Sequence, residues 1–131
     1  MTIPPPMPSG RRRTPEQRSG DWAEQRALRL LRAAGWRLLA RQWRCRWGEL
    51  DLVLHKPQRL LLVEVKARRC RPGGAWGRAG LGPRKLRRLE RAWACWIEAH
   101  PLLATCPVEL VYALVPLPPG RQPVRWIRPR L

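Results

Sequence analysis

Acidic residues are scarce in this chain, nine against twenty-seven basic ones, yet Glu49, Asp51 and Glu64 fall close together and Lys66 stands two positions beyond the last of them. All four lie in or beside the apolar runs Leu50–Leu54 and Leu60–Val63. A carboxylate placed there is costly unless something neutralises it. A bound Mg²⁺ (or Mn²⁺) would do so, because a hard cation takes one or two carboxylates and completes its shell with water and phosphate oxygens. In a strand, Glu64 and Lys66 project from one face and Val65 from the other. With Asp51 across a hairpin, Asp51 and Glu64 can share the ion, and the backbone carbonyl of Val65 is a further candidate ligand. Such an ion polarises a phosphoryl oxygen and lowers the pKa of a bound water. Lys66 then orients that water or offsets the developing charge. Only three of the twenty-seven basic residues are lysines, and one is Lys66. Its compact ammonium has a tunable pKa, which a guanidinium lacks. On residue types alone the segment also fits a solvated hairpin in which Glu64 and Lys66 form a same-face charge pair.

The elements that must position these groups are legible from periodicity. Residues 48–55 and 60–68 read as two strands joined by a turn at 56–59. Leu50, Leu52 and Leu54 alternate in the first, which predicts one common face. Thr14, Pro15 and Gln17 have the form of a capped helix start. A helix over 15–34 follows, with Ala23, Ala27, Leu30, Leu31 and Ala34 on its apolar face and Gly35 as C-cap. Residues 36–47 read as a first strand. A second helix over 83–100 carries the stripe Leu86, Leu89, Trp93, Trp96 and Ile97, and Pro101 stops it. Arg84, Arg87, Arg88 and Arg91 crowd its first half, against the helix dipole, an arrangement that solvation tolerates and bound phosphate would favour. Segments 107–116 and 123–129 add strands, the last an edge candidate bracketed by prolines. The expected fold class is α/β, in the order helix, three strands, helix, then one or two strands (αβββαβ, with or without an extra edge strand). It forms one domain over 14–131, preceded by a disordered Pro/Arg-rich tail (1–13) and interrupted by a flexible Gly/Arg loop (69–82).

Composition narrows the partners. A formal net charge of +18 on 131 residues, with a pI near 11.8, attracts polyanions, and nucleic acid is the natural one. Anionic membrane surfaces, ribonucleoprotein assembly or a genome rich in arginine codons would give the same balance. No apolar run is long enough to span a membrane and no secretory core is present, so the expected location is cytoplasmic. Cys45, Cys70, Cys95 and Cys106 make no CxxC pair, which predicts free thiols rather than a zinc site. His55 and His100 read as structural. Trp76, among loop glycines, fits either a partly buried anchor or a base-stacking side chain.

A wider pattern carries a family resemblance. Gly20-x-x-x-Glu24-x-x-Ala27, Gly35-Trp36-x-x-Leu39-Ala40-Arg41, Arg44-x-x-x-Gly48-Glu49-Leu50-Asp51-Leu52-Val53, Val63-Glu64-Val65-Lys66-x-Arg68 and Lys85-x-x-Arg88-Leu89 stand in the order and spacing of YraN-like bacterial proteins. Those proteins are similar to the restriction-endonuclease-like, PD-(D/E)xK, superfamily and to archaeal Holliday-junction resolvases. The resemblance implies a mixed central sheet flanked by two helices. It implies Glu24, Asp51, Glu64 and Lys66 as the catalytic set, Asp51 and Glu64 with the Val65 carbonyl as metal ligands, and Glu49 and Lys85 as supporting groups. Arg68, Arg84, Arg87, Arg88 and Arg91 are the candidate nucleic-acid contacts. Two departures stand out: Gln42 replaces the family's usual asparagine, and Pro107-Val108-Glu109 replaces its later Arg-Phe-Asp. The implied function is a Mg²⁺-dependent endonuclease on DNA, branched forms included, with a homodimer expected by analogy. The alternative is a non-catalytic nucleic-acid-binding module, or an accessory factor in DNA repair or recombination, on the same fold.

Overall fold

A computed structural model describes residues 12–69 and 82–129. In order these form α1 (Pro15–Ala33), β1 (Arg37–Cys45), β2 (Gly48–Lys56), β3 (Arg59–Arg68), α2 (Pro83–Ala99), a 3₁₀ turn (Pro101–Leu103), β4 (Val108–Pro116) and β5 (Arg125–Ile127). Most of the expected tail and of the expected loop, with Cys70 and Trp76, lie outside the described residues.

Both ends of α1 form as the local chemistry dictates. Thr14 Oγ1 accepts the Gln17 N–H at 3.1 Å, and Gln17 Oε1 accepts the Thr14 N–H at 2.9 Å, closing a capping box. At the other end Gly35 takes φ 94°, a region glycine enters without a Cβ penalty. Its N–H donates to Arg32 O and that of Trp36 to Leu31 O, which satisfies carbonyls the helix leaves open. The buried face of α1 is Ala23, Glu24, Ala27, Leu28 and Leu31. The expected stripe is therefore rotated: Leu28 replaces Leu30, which is 44% exposed, and Ala34 is exposed. The rotation turns Glu24 inward, where Arg41 and Gln42 of β1 receive it. In α2 the expected stripe is observed, with Leu89, Ala92 and Trp96 buried and Leu86, Trp93 and Ile97 packed beside them. The helix stops before Pro101, and His100 caps it structurally: its ring stacks on Trp96 and its Nδ1 lies 2.7 Å from Trp96 O.

The five strands lie in the order β1-β2-β3-β4-β5, antiparallel except for the parallel pair β3–β4 that α2 connects. The β2–β3 turn has Pro57 at its first corner and Gln58 at φ 61°, the pattern of a type II turn. The extra edge strand is present but short, because Pro123 and Pro129 have no N–H to add to the ladder. Helix α1 covers one face of the sheet with Leu52, Leu54, Leu61, Val63, Val111 and Ala113. Helix α2 covers the other with Leu50, Val53, Leu60, Leu62 and Tyr112. The result is the expected α/β, restriction-endonuclease-like arrangement of a mixed sheet between two helices.

One expectation fails in a way that matters for the site. Leu50 packs on the α2 side, whereas Leu52 and Leu54 pack on the α1 side. The break in alternation falls at Asp51. Opposite it, the β1–β2 register passes from Arg41↔Leu52 to Trp43↔Leu50, and the residue between, Gln42, has φ 48°. Both strands turn over at this one step. A side chain in that left-handed region stores backbone strain, which clusters at functional positions.

Candidate active site

Hydrogen-bonded pairing of β2 with β3 ends at Leu52↔Val63. Just beyond it, Asp51 Oδ2 accepts the Val65 N–H at 2.8 Å, taking the place of a backbone carbonyl in the ladder. The turned-over step thus swings the Asp51 carboxylate off its own strand and against β3, where Glu64 stands. Alternation along β3 holds as expected: Val65 packs towards α1, while Glu64 and Lys66 follow Leu60 and Leu62 on the α2 side.

Asp51, Glu64 and Lys66 line a cleft of about 530 Å³ whose opposite wall is Arg84, Lys85 and Arg88 at the start of α2. Glu64 forms its floor, only 3% exposed, and its Oε1 has no hydrogen-bond partner. Burial first, and then the charge of Asp51, push the Glu64 carboxyl up to about 9. Burial and the neighbouring Lys66 bring Lys85 down to about 8. Lys85, expected only as a supporting group, is therefore a wall of the same cleft. Glu64 is paired across β3–β4 with Tyr112, fully buried, whose hydroxyl also lacks a partner. Nothing in the sequence singled out Tyr112, because a tyrosine within an apolar strand reads as core.

The oxygen donors fit a hard divalent cation. A buried carboxylate with an unpartnered oxygen, beside a second carboxylate, is the arrangement a bound cation neutralises. Among the described residues no three His, Cys, Asp or Glu side chains converge into a closed cage.

Glu24 is 4% exposed and lines a second cleft, of about 490 Å³, with Asp21, Gln42, Glu49 and Asp51. Asp51 and Glu49 border both clefts, so Glu24 stands on the far flank of Asp51 from Glu64 and Lys66. Arg41 Nε donates to Glu24 Oε1, and the Gln42 amide donates to Glu24 Oε2 at 3.2 Å and to Asp21 Oδ1 at 3.3 Å. The left-handed Gln42 thus ties α1 to the turned-over step. Asparagine, which the resemblance gives at this position, enters the left-handed region more readily than most residues. Glu49 is partly exposed and faces Arg44 at 3.7 Å. Arg84, Arg87, Arg88 and Arg91 are all exposed, Arg91 with its guanidinium 4.9 Å from the ring centroid of Trp47, and Arg68 is half-buried on β3.

Residues 23–115, a span that holds every carboxylate of both clefts except Asp21, match the Uncharacterised protein family UPF0102. The chain belongs to UPF0102. Similar UPF0102 proteins occur in Prochlorococcus marinus strain MIT 9303, 55% identical over 85% of this chain and 88% of the relative, and in strain MIT 9313, 51% identical over 83% and 86%. Another, from Parasynechococcus marenigrum strain WH8102, is 50% identical over 86% of this chain and 81% of its own. UPF0102 is the YraN family, so the resemblance carried by the GELD and VEVK blocks is borne out, and the mixed five-stranded sheet between two helices is consistent with the restriction-endonuclease-like fold that the resemblance implies.

Proposed function

We propose that this UPF0102 protein is a Mg²⁺-dependent endonuclease that hydrolyses phosphodiester bonds in DNA. The observation that carries the reading is the buried Glu64 carboxyl, one oxygen unpartnered, beside Asp51, in a cleft also lined by Glu49, Lys66, Lys85, Arg84 and Arg88. Asp51 and Glu64, with the Val65 carbonyl, are the groups to hold the ion. When bound, the ion would supply Lewis-acid activation of the phosphoryl group and of the attacking water.

The chain's own residues account for the rest. Arg84 and Arg88 at the rim bind the backbone phosphates that flank the scissile one. Lys66 offsets charge as it develops on the phosphoryl oxygens, a role worth most in a site partly shielded from water. Lys85 opposes the same charge from the helix side. Branched DNA is the first substrate to test, on the strength of the resemblance to junction resolvases. A symmetrical cut of a four-way junction would need two copies of the site, hence a homodimer. The net charge of +18 supports a polyanionic substrate.

Purified protein is expected to cleave a labelled four-way junction or flap in Mg²⁺ or Mn²⁺, and Asp51→Asn and Glu64→Gln are each expected to lose at least about a hundredfold in rate. Variants that cut as fast as wild type would rule this site out. Wild-type protein that binds DNA steeply with salt yet cuts no junction, flap, single strand or duplex would leave the binding-module alternative.

Lys85 adds a pH signature. With its ammonium brought down to about 8, it carries charge below that pH and loses it above. Cleavage should therefore weaken as pH rises through about 8, and Lys85→Arg should move that alkaline limb upward, since a guanidinium keeps its proton. A rate profile measured from pH 6 to 10 on both proteins checks this, and an unmoved limb assigns it to another group.

A further inference from the structure

A third cleft, of about 730 Å³, opens on the α1 side of the molecule, between Arg18, Ser19 and Trp22 of that helix, Arg69 at the end of β3, and the loop 117–120 after β4. Its frame is fixed by hydrogen bonds outside the cavity. The Arg26 guanidinium donates to Pro116 O and to Gln122 O, both at 3.3 Å, which straps the loop to α1. The Leu117 N–H donates to Arg68 O at 2.8 Å and ties the same loop to β3.

Its lining is chemically specific. Trp22 is 38% exposed, a large apolar ring left at the surface of a helix whose opposite face is well packed. Arg18 and Arg69 are both exposed and neither has a carboxylate partner among the described residues. Arg26, whose guanidinium lies 5.8 Å from the Trp22 centroid, is committed to the loop carbonyls and holds the ring's surroundings in place. An aromatic face beside two unpaired guanidinium groups is what a nucleotide requires: a surface on which the base stacks, and cations for the phosphates on either side of it. In a duplex the bases are already stacked and cannot reach such a ring. Arg69 follows the end of β3, three residues after Lys66, but this cleft opens on the α1 face of the sheet whereas Lys66 and Glu64 face α2.

We infer that this cleft binds an unpaired nucleotide of single-stranded nucleic acid, on the face of the sheet opposite the candidate active site. The inference rests on the nucleic-acid reading of the protein but not on turnover. It makes the protein a reader of strands with an unpaired stretch, such as flaps, gaps and junction arms that have opened.

The test is fluorescence anisotropy of the full chain in EDTA, so that nothing is cut, with a dye-labelled oligothymidine of about ten nucleotides and a blunt duplex of equal length at fixed salt. Trp22→Ala is expected to weaken oligothymidine binding about tenfold and duplex binding by less than twofold. Trp22→Phe, which keeps a stacking face, should restore most of the loss. Arg69→Gln should lower the salt slope for the single strand by a little under one. Equal weakening on both ligands would overturn the inference, as would unchanged affinity in Trp22→Ala accompanied by a lowered melting temperature, which would make the cleft a packing seam. The two readings fail separately. If Asp51→Asn and Glu64→Gln change no cleavage but Trp22→Ala discriminates the ligands, the nuclease reading falls and this cleft stands; the reverse outcome removes only the cleft.

Discussion

Glu64→Gln is expected to stabilise the metal-free protein at pH 8 by on the order of 2 kcal/mol, or several degrees in melting temperature, while removing most of the stabilisation that Mg²⁺ confers. The carboxyl sits on the cleft floor with an unpartnered oxygen, and burial and Asp51 raise it to about 9 from an ordinary value of 4.5. Below about pH 4.5 the folded and unfolded chains hold this proton alike, and the substitution should change little. As pH rises from there towards about 9, the unfolded chain gives up its proton first, so the folded state loses stability progressively. Glutamine has no proton to lose and escapes that decline, so its advantage should grow across this window. A divalent cation acts in the opposite sense on the wild type: it displaces the proton, so the Mg²⁺ effect should strengthen with pH and proceed with proton release. Thermal melts of both proteins at pH 5 and pH 8, with EDTA or with Mg²⁺, test all four corners. If Glu64→Gln is less stable than wild type at pH 8 in EDTA, the carboxyl is a satisfied structural group and the metal reading loses its main support.

The same residue shows how far sequence reaches. Glu64, Val65 and Lys66 could be assigned to faces in advance because β3 is regular, and two-residue alternation is enforced wherever both faces of a strand are buried. The helix ends were equally legible, since Thr14, Gln17 and Gly35 act through bonds within a few residues of themselves. What escaped depends on contacts between distant segments. Alternation predicted Leu50 on the face of Leu52, yet the turn-over at Asp51 requires Gln42 opposite to be left-handed, and no local rule places a glutamine there. The inward rotation of α1 that buries Glu24 in place of exposing it is set by Arg41 and Gln42, 17 and 18 residues further along. Lys85 reaches the cleft only because α2 packs over β2, beside the end of β3, and Tyr112 lies beside Glu64 only through the parallel pairing of β3 with β4. Family resemblance supplied Glu24 and Lys85 as candidates. It left open that they stand on opposite flanks of Asp51.

Lys66→Arg should separate chemistry from charge. In a chain with twenty-four arginines, exchanging one lysine for another arginine leaves the net charge at +18 and should leave DNA affinity within about twofold in EDTA. Cleavage should nevertheless fall by about two to three orders of magnitude, close to the loss in Lys66→Ala. Position 66 is half-buried, beside Glu64 on the same strand and against Lys85 from α2. A planar guanidinium is longer than an ammonium, and it cannot place a point charge in the gap between that second lysine and the carboxylates. It would settle towards the rim, where Arg84 and Arg88 already serve the flanking phosphates. Single-turnover cleavage with saturating protein isolates the chemical step from binding. A Lys66→Arg protein that cuts within a few-fold of wild type would show that position 66 needs only a positive charge, reducing Lys66 to one more phosphate contact among many and leaving Asp51 and Glu64 as the only groups at the site specific to the chemistry.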